Sequence, residues 1–256
     1  MHKLLLHQTR YDMLALLRNR QARYSTMLMP VIVLAVLLAA FGQHVVGPGQ
    51  TKASSYYVSG IATLAVLAAC FTNLVIALTG QRETGVLKRR RATPVPAPVL
   101  IAGRTLTAMA AALATITAAC LLARAGFSVD LPAAAAPSVA LTAIVASISF
   151  CSIAYALTSA IRSADAAQPI VQAIALPLYL SSGVFIPSVS LPGWLQDAAT
   201  VLPVEHLSHA LHRAFDPALH GSTYAWGDLA VLLAWGTAAL VIALTRFRWT
   251  PTAASP

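Results

Sequence analysis

His206, His209 and His212 follow one another at three-residue steps beside Glu205, and imidazole is the commonest protein ligand for a metal ion. On a helix each i, i+3 pair lies close together. Three such steps drift around the helix, however, and Arg213 adds positive charge, so an interfacial polar helix is a better reading than a metal site. Ser147, Ser149, Ser152, Ser159, Ser181 and Ser182 offer hydroxyl nucleophiles, but the apolar segments that hold them contain no histidine to act as base. They read instead as hydrogen-bonding groups of packed helices. Cys70, Cys120 and Cys151 are odd in number and lack metal-ligand spacing, so they read as small buried hydrophobes with no disulfide. None of the three lysines, Lys3, Lys52 and Lys88, follows a glycine, so a phosphate-cradling G-x-x-x-x-G-K-[ST] loop is absent. No catalytic, metal or cofactor-binding residue is expected in this chain.

The polar residues that remain informative are Gln81-Arg82-Glu83-Thr84-Gly85-Val86-Leu87-Lys88-Arg89-Arg90-Arg91. Residues 53–81 before this run and 105–123 after it contain no Asp, Glu, Lys or Arg. Each stretch is long enough to cross a hydrocarbon core about 30 Å thick. The run is therefore a short loop between two membrane spans, and a loop opening with Glu83 and Gly85 suits docking on a soluble partner. A glutamate at the start of a loop helix would favour the positive end of its dipole. Gly85 would allow close backbone approach to that partner.

Composition agrees. Hydrophobic residues make up 58% of the 256 and charged ones 10%, against about 25% in soluble domains. The net charge of +9 could suit nucleic acid, but these cations flank apolar runs and lack a water-exposed face to share. Nucleic acid is excluded as a partner, and membrane lipids take its place.

Gaps between charges define six spans, at about 24–46, 56–79, 105–123, 137–161, 166–185 and 229–245. Backbone groups in lipid must be satisfied internally, and no barrel-like alternation is present, so the fold class is an all-α integral membrane protein. Residues 1–23 form an N-terminal interfacial helix with Leu6, Met13, Leu14 and Leu17 on one face. Residues 24–248 form the membrane domain and 249–256 a short tail. Pro30 can kink the first span, and Ala-rich patches such as residues 108–112 suit close helix packing, although genome composition would produce them too. From 186 to 222, Pro187, Pro192 and Pro203 divide an outer segment into short re-entrant helices, with Trp194 at the lipid–water interface.

Orientation follows from the 17 cations. With the amino terminus inside, Lys52, Arg124 and Arg213 alone face outward. Both termini are then cytoplasmic. The spans carry no Asp, Glu, Lys or Arg and no TVGYG-type filter, which weighs against an ion-coupled carrier or a potassium channel. An uncharged bundle with no energy source of its own must borrow one.

RETGVLKRRRATPVPAPVLIAGR, residues 82–104, resembles the first cytoplasmic loop of ABC-2 type (type V) exporter permeases. PLYLSSGVFIPSVSLPGWLQDAATVLPVEHLSHALHRAF, residues 177–215, resembles the fifth span and external helices of that family, and ALLRNRQARYSTMLMP, residues 15–30, its basic entry to the first span. The closest flavour is that of daunorubicin-resistance-type drug exporters. One departure is the third consecutive arginine, Arg91. The resemblance implies a bacterial plasma-membrane permease that pairs with a second copy or a paralogue and sits on separate ATP-binding-cassette subunits, which hold ATP and Mg. It implies a coupling helix drawn from Arg82, Glu83, Thr84, Gly85, Val86, Leu87, Lys88 and Arg89. Cargo is then a small hydrophobic or amphipathic molecule such as a drug or lipid, with a lipid-linked glycan as the alternative. A stand-alone carrier and an intramembrane enzyme are the readings from other classes. Asn73, Gln168 and Gln172, rare polar points within the spans, are the candidate cargo path.

Overall fold

The computed structural model describes residues 2–42, 45–46, 51–92, 95–181, 192–216 and 223–246. It is helical almost throughout. A leader helix, α1 (His2–Arg18), stops where Asn19 takes an extended backbone and accepts a hydrogen bond from the Ala22 amide, capping the next helix. That helix, α2 (Arg20–Phe41), is the first membrane span. The leader is thus shorter than the 1–23 expected from its cations, because the cap falls at Asn19. A two-residue antiparallel ladder, β1 (Val45–Val46) with β2 (Thr51–Lys52), follows.

Then come α3 (Ala53–Glu83), the short α4 (Val86–Arg91), α5 (Ala97–Phe127) and α6 (Ala133–Ala160). The chain ends with α7 (Ala164–Ser181), two short helices, α8 (Gly193–Ala199) and α9 (Pro203–Phe215), and α10 (Trp226–Arg246). Five helices among the described residues are long and apolar enough to cross a membrane: α2, α3, α5, α6 and α10. The fifth expected span coincides with α7 as far as Ser181, and its remainder, 182–185, lies outside the described residues. So do 186–191 and 217–222 of the outer segment and the tail at 249–256.

Several spans run past the charge-free stretches that announced them. Helices α3 and α5 reach about 45 Å at 1.5 Å per residue, well beyond a hydrocarbon core of about 30 Å. Their overhanging ends carry Arg82, Glu83, Arg104 and Arg124, where charge meets water or protein.

Small residues let the helices approach closely. A Cβ added at Gly236 of α10 would lie 2.9 Å from the Ser149 Cα of α6, and Ser149 donates its hydroxyl to the Leu232 carbonyl at 2.8 Å. Ala108, Ala111 and Ala112 are buried on α5, so the alanine patch does pack. Pro30 leaves its mark without ending the helix. Lacking an N–H, it cannot serve the carbonyl of Thr26 four residues earlier. The helix widens to a π turn at Tyr24–Leu28, and the Thr115 hydroxyl of α5 donates to that carbonyl at 3.3 Å.

Candidate coupling corner

Between α3 and α4 the chain turns through Thr84 and Gly85. Gly85 has φ +71°, a left-handed conformation that L side chains adopt at a cost, and open space surrounds its missing Cβ. Backbone geometry therefore demands the glycine here. The turn aims α4 away from α3, with Leu87 buried and Lys88 and Arg89 exposed. The Arg89 guanidinium donates back to the Thr84 carbonyl at 3.3 Å.

Two residues of the expected docking run bond to neighbouring helices of the same chain. Arg82 is only 2% exposed. Its guanidinium donates to the Thr158 carbonyl at 2.9 Å and to that of Ile161, at the carboxyl end of α6. Those carbonyls have no partners within their own helix, so a fork of N–H donors suits them. Glu83 does not open the loop helix. It is the last residue of α3, and its carboxylate accepts from the Ala164 amide, the first residue of α7, at 3.0 Å. Neighbouring residues of opposite charge thus close the carboxyl end of one helix and the amino end of the next, each with the sign its dipole favours. Ser163 adds a second cap by accepting from the Ala166 amide at 3.3 Å.

The other side of the corner is tied to the leader. Arg90 of α4 makes an ion pair with Asp12 of α1 at 2.9 Å, and Gln8 donates to the other Asp12 oxygen at 2.8 Å. Asp12 is 5% exposed. Arg104 of α5 donates to Gln81 of α3 at 2.7 Å. The leader packs its polar face, Gln8, Thr9 and Asp12, on α5, where a Cβ at Gly103 would come 2.8 Å from the Gln8 side chain. Leu4, Leu6, Leu14 and Leu17 are left exposed, as on a helix lying against lipid. The sequence reading passed over Asp12, although it is the one acid among the first 23 residues.

A family model for ABC-2 type transporters matches residues 4–215. The chain belongs to that family. No curated protein matches it. The match takes in the whole corner and leaves α10 beyond its end. As an ABC-2 type transporter the chain is a multi-pass membrane component of an ABC transporter, a permease.

The three polar residues proposed for a cargo path separate in this permease. The Asn73 amide sits between α3 and α2, donating to Thr26 at 2.6 Å and accepting from Ser25 at 3.0 Å. It lies just after a second π turn, Ala68–Thr72, that faces the one in α2. Gln168 is exposed and Gln172 half-buried on α7.

At the opposite end of the bundle, α9 buries Val204, Leu207 and Leu211 and turns its histidines to different partners. His206 and His209 each place Nδ1 2.7 Å from one oxygen of Asp228, the first-turn acid of α10. His206 Nε2 lies 2.9 Å from the Thr200 carbonyl, so both its nitrogens face acceptors. His212 stacks on Tyr56 with ring centroids 4.4 Å apart and hydrogen-bonds Ser59. The hydrogen bond to Asp228 pushes the His209 imidazole above its ordinary value, and burial pushes the Glu205 carboxyl up. No cluster suited to a metal ion occurs among the described residues.

Proposed function

We propose that this permease is the membrane half of an ATP-driven exporter that moves a small hydrophobic or amphipathic molecule out of the cell. It works on separate ATP-binding-cassette subunits and pairs with a second permease chain. The observation that carries the reading is the corner itself. A short helix is thrown outward by a left-handed glycine, with Lys88 and Arg89 exposed for a soluble partner, while Arg82 and Glu83 just before it hold the ends of α6 and α7. A push on α4 reaches the membrane helices through rigid hydrogen bonds, and two packings of those helices biased by nucleotide would turn ATP energy into a population shift.

The cation bias supports a cytoplasmic location for this corner, both termini and the ATPase. A cysteine at exposed Thr200 should react with an impermeant thiol reagent on intact cells and one at Thr84 should not; the reverse pattern would overturn the orientation. Gln168 and Gln172 remain the candidate cargo contacts, with Asn73 committed to packing α2 on α3.

Coupling is tested with the cassette ATPase co-purified from the host. Glu83→Lys and Gly85→Trp should abolish cargo-stimulated ATP hydrolysis while the permease still enters the membrane. Normal stimulation in both variants would sink the coupling assignment.

A further inference from the structure

Behind the Arg90–Asp12 ion pair lies a cavity of about 130 Å³, walled by α1, α2, α3, α4 and α5. That is roughly ten times the 10–15 Å³ a single water needs. Its polar lining includes Asp12, Asn19, Asn73, Gln81, Arg90 and Arg104. Two guanidinium groups thus share the space with one carboxylate.

Asp12 is already committed, one oxygen to Arg90 and the other to Gln8. Arg104 carries five N–H donors, and among the described residues its one hydrogen-bond partner is the neutral Gln81 amide. Arg104 is half-buried, and a cation partly withdrawn from water without its own counter-ion carries a cost. The cavity therefore has an uncompensated positive charge, surplus guanidinium donors and room for a small anion. Its depth matters too. Arg104 lies about 9 Å along α5 from Pro98, at 1.5 Å per residue, and immediately precedes the charge-free stretch 105–123. A cation at the edge of a charge-free span is within reach of lipid headgroups, and the leader beside it leaves leucines exposed.

We propose that this cavity binds one phosphate-type anion, with Arg104 as its principal donor and Arg90 beside it. A phosphodiester headgroup of a membrane lipid and free phosphate share the required chemistry. Because Arg90 belongs to α4 and Asp12 to the leader, the anion competes with the carboxylate for Arg90, and occupancy acts on the corner. The inference stands independently of cargo and of the ATPase.

The test uses the full chain in phosphatidylcholine nanodiscs, following the unfolding temperature as phosphatidylglycerol is titrated into the bilayer and, separately, as inorganic phosphate is added. A saturable rise is expected in at least one arm, and the arm that shows it identifies the source. Arg104→Gln should weaken half-saturation about tenfold, what one charge-assisted hydrogen bond carries. Asp12→Asn should strengthen it by a similar factor, since the competing carboxylate is gone. The two variants shift the curve in opposite directions, so Asp12→Asn decides the matter should Arg104→Gln fail to fold. Arg18→Gln removes an exposed cation at the same end and should leave half-saturation where it was. No saturable rise in either arm, an unmoved Asp12→Asn curve, or an equal shift in Arg18→Gln would each overturn the site.

Discussion

The two ends of the bundle hold their helices by the same device, an ionic side chain on one helix bonded to groups on another, but with different chemistry. At the basic end the cations are guanidinium groups. Arg82, Arg90 and Arg104 bond backbone carbonyls, Asp12 and Gln81, and a guanidinium keeps its charge at every accessible pH. At the other end the donors are imidazoles on Asp228, and an imidazole changes charge near neutrality. The difference separates a joint of constant charge from one in which His209, raised above its ordinary value by Asp228, can respond to its surroundings. Constant charge suits the relay proposed for the corner.

The largest effect that would break this contrast is at Arg82. Arg82→Ala removes two charge-assisted hydrogen bonds and leaves the Thr158 and Ile161 carbonyls without their donor. At about 1.5 kcal/mol for each bond, a loss of about 3 kcal/mol is expected. Thermal unfolding in detergent would register it, and the loss should be equal at pH 6 and pH 8. A mild loss, or one that varies with pH, would mean that Arg82 does not bear the α6 end.

That buried role was not legible in the run RETGVLKRRR. Five of the six expected spans coincide with helices long and apolar enough to cross a membrane, because a hydrocarbon core excludes charge and the gaps between charges marked them. Their ends were not marked, since charged residues such as Arg82 and Arg104 continue the helices wherever protein receives them. A cation close to Lys88, Arg89, Arg90 and Arg91 reads as solvated, yet Arg82 finds its acceptors 76 residues later at Thr158. Likewise Asp12 meets Arg90 across 78 residues, and periodicity within the leader says nothing of it. The left-handed turn was partly legible, because Gly85 was singled out. The positive φ adds a backbone reason for that glycine, which periodicity could not show. Nothing local to the histidine helix announced Asp228, the acid that holds it.

A smaller effect follows at Asp228. Asp228→Asn keeps one acceptor oxygen but loses the charge that binds both His206 and His209. The site is partly open to water, so screening holds the expected loss to about 1 kcal/mol. Proteolysis after α8 should also become faster, since α9 leans on this contact. A variant as protease-resistant as the wild type would shift the stabilising role to the apolar face of α9.

The smallest and most discriminating effect is the pH dependence itself. His209 has a folded-state value raised above the ordinary imidazole value of about 6.5, chiefly by its hydrogen bond to Asp228. The folded protein therefore holds the proton longer than the unfolded chain. The stabilisation is fully present below about pH 6.5 and is lost as pH rises through the raised value. Glu205, raised by burial, acts with the same sign in a lower window that begins at the ordinary carboxylate range, so the two are separable. Arg213 opposes the charge on His209, and Glu205 and Asp228 support it. With the His209 side chain 61% exposed, the shift in unfolding temperature between pH 6 and pH 8 will be small. His209→Ala should flatten that slope while Glu205→Gln leaves it in place, and neither should alter the pH response of the corner. A slope unchanged in His209→Ala would take the sensitivity away from this imidazole, and an unfolding temperature flat in the wild type would remove the contrast between the two ends.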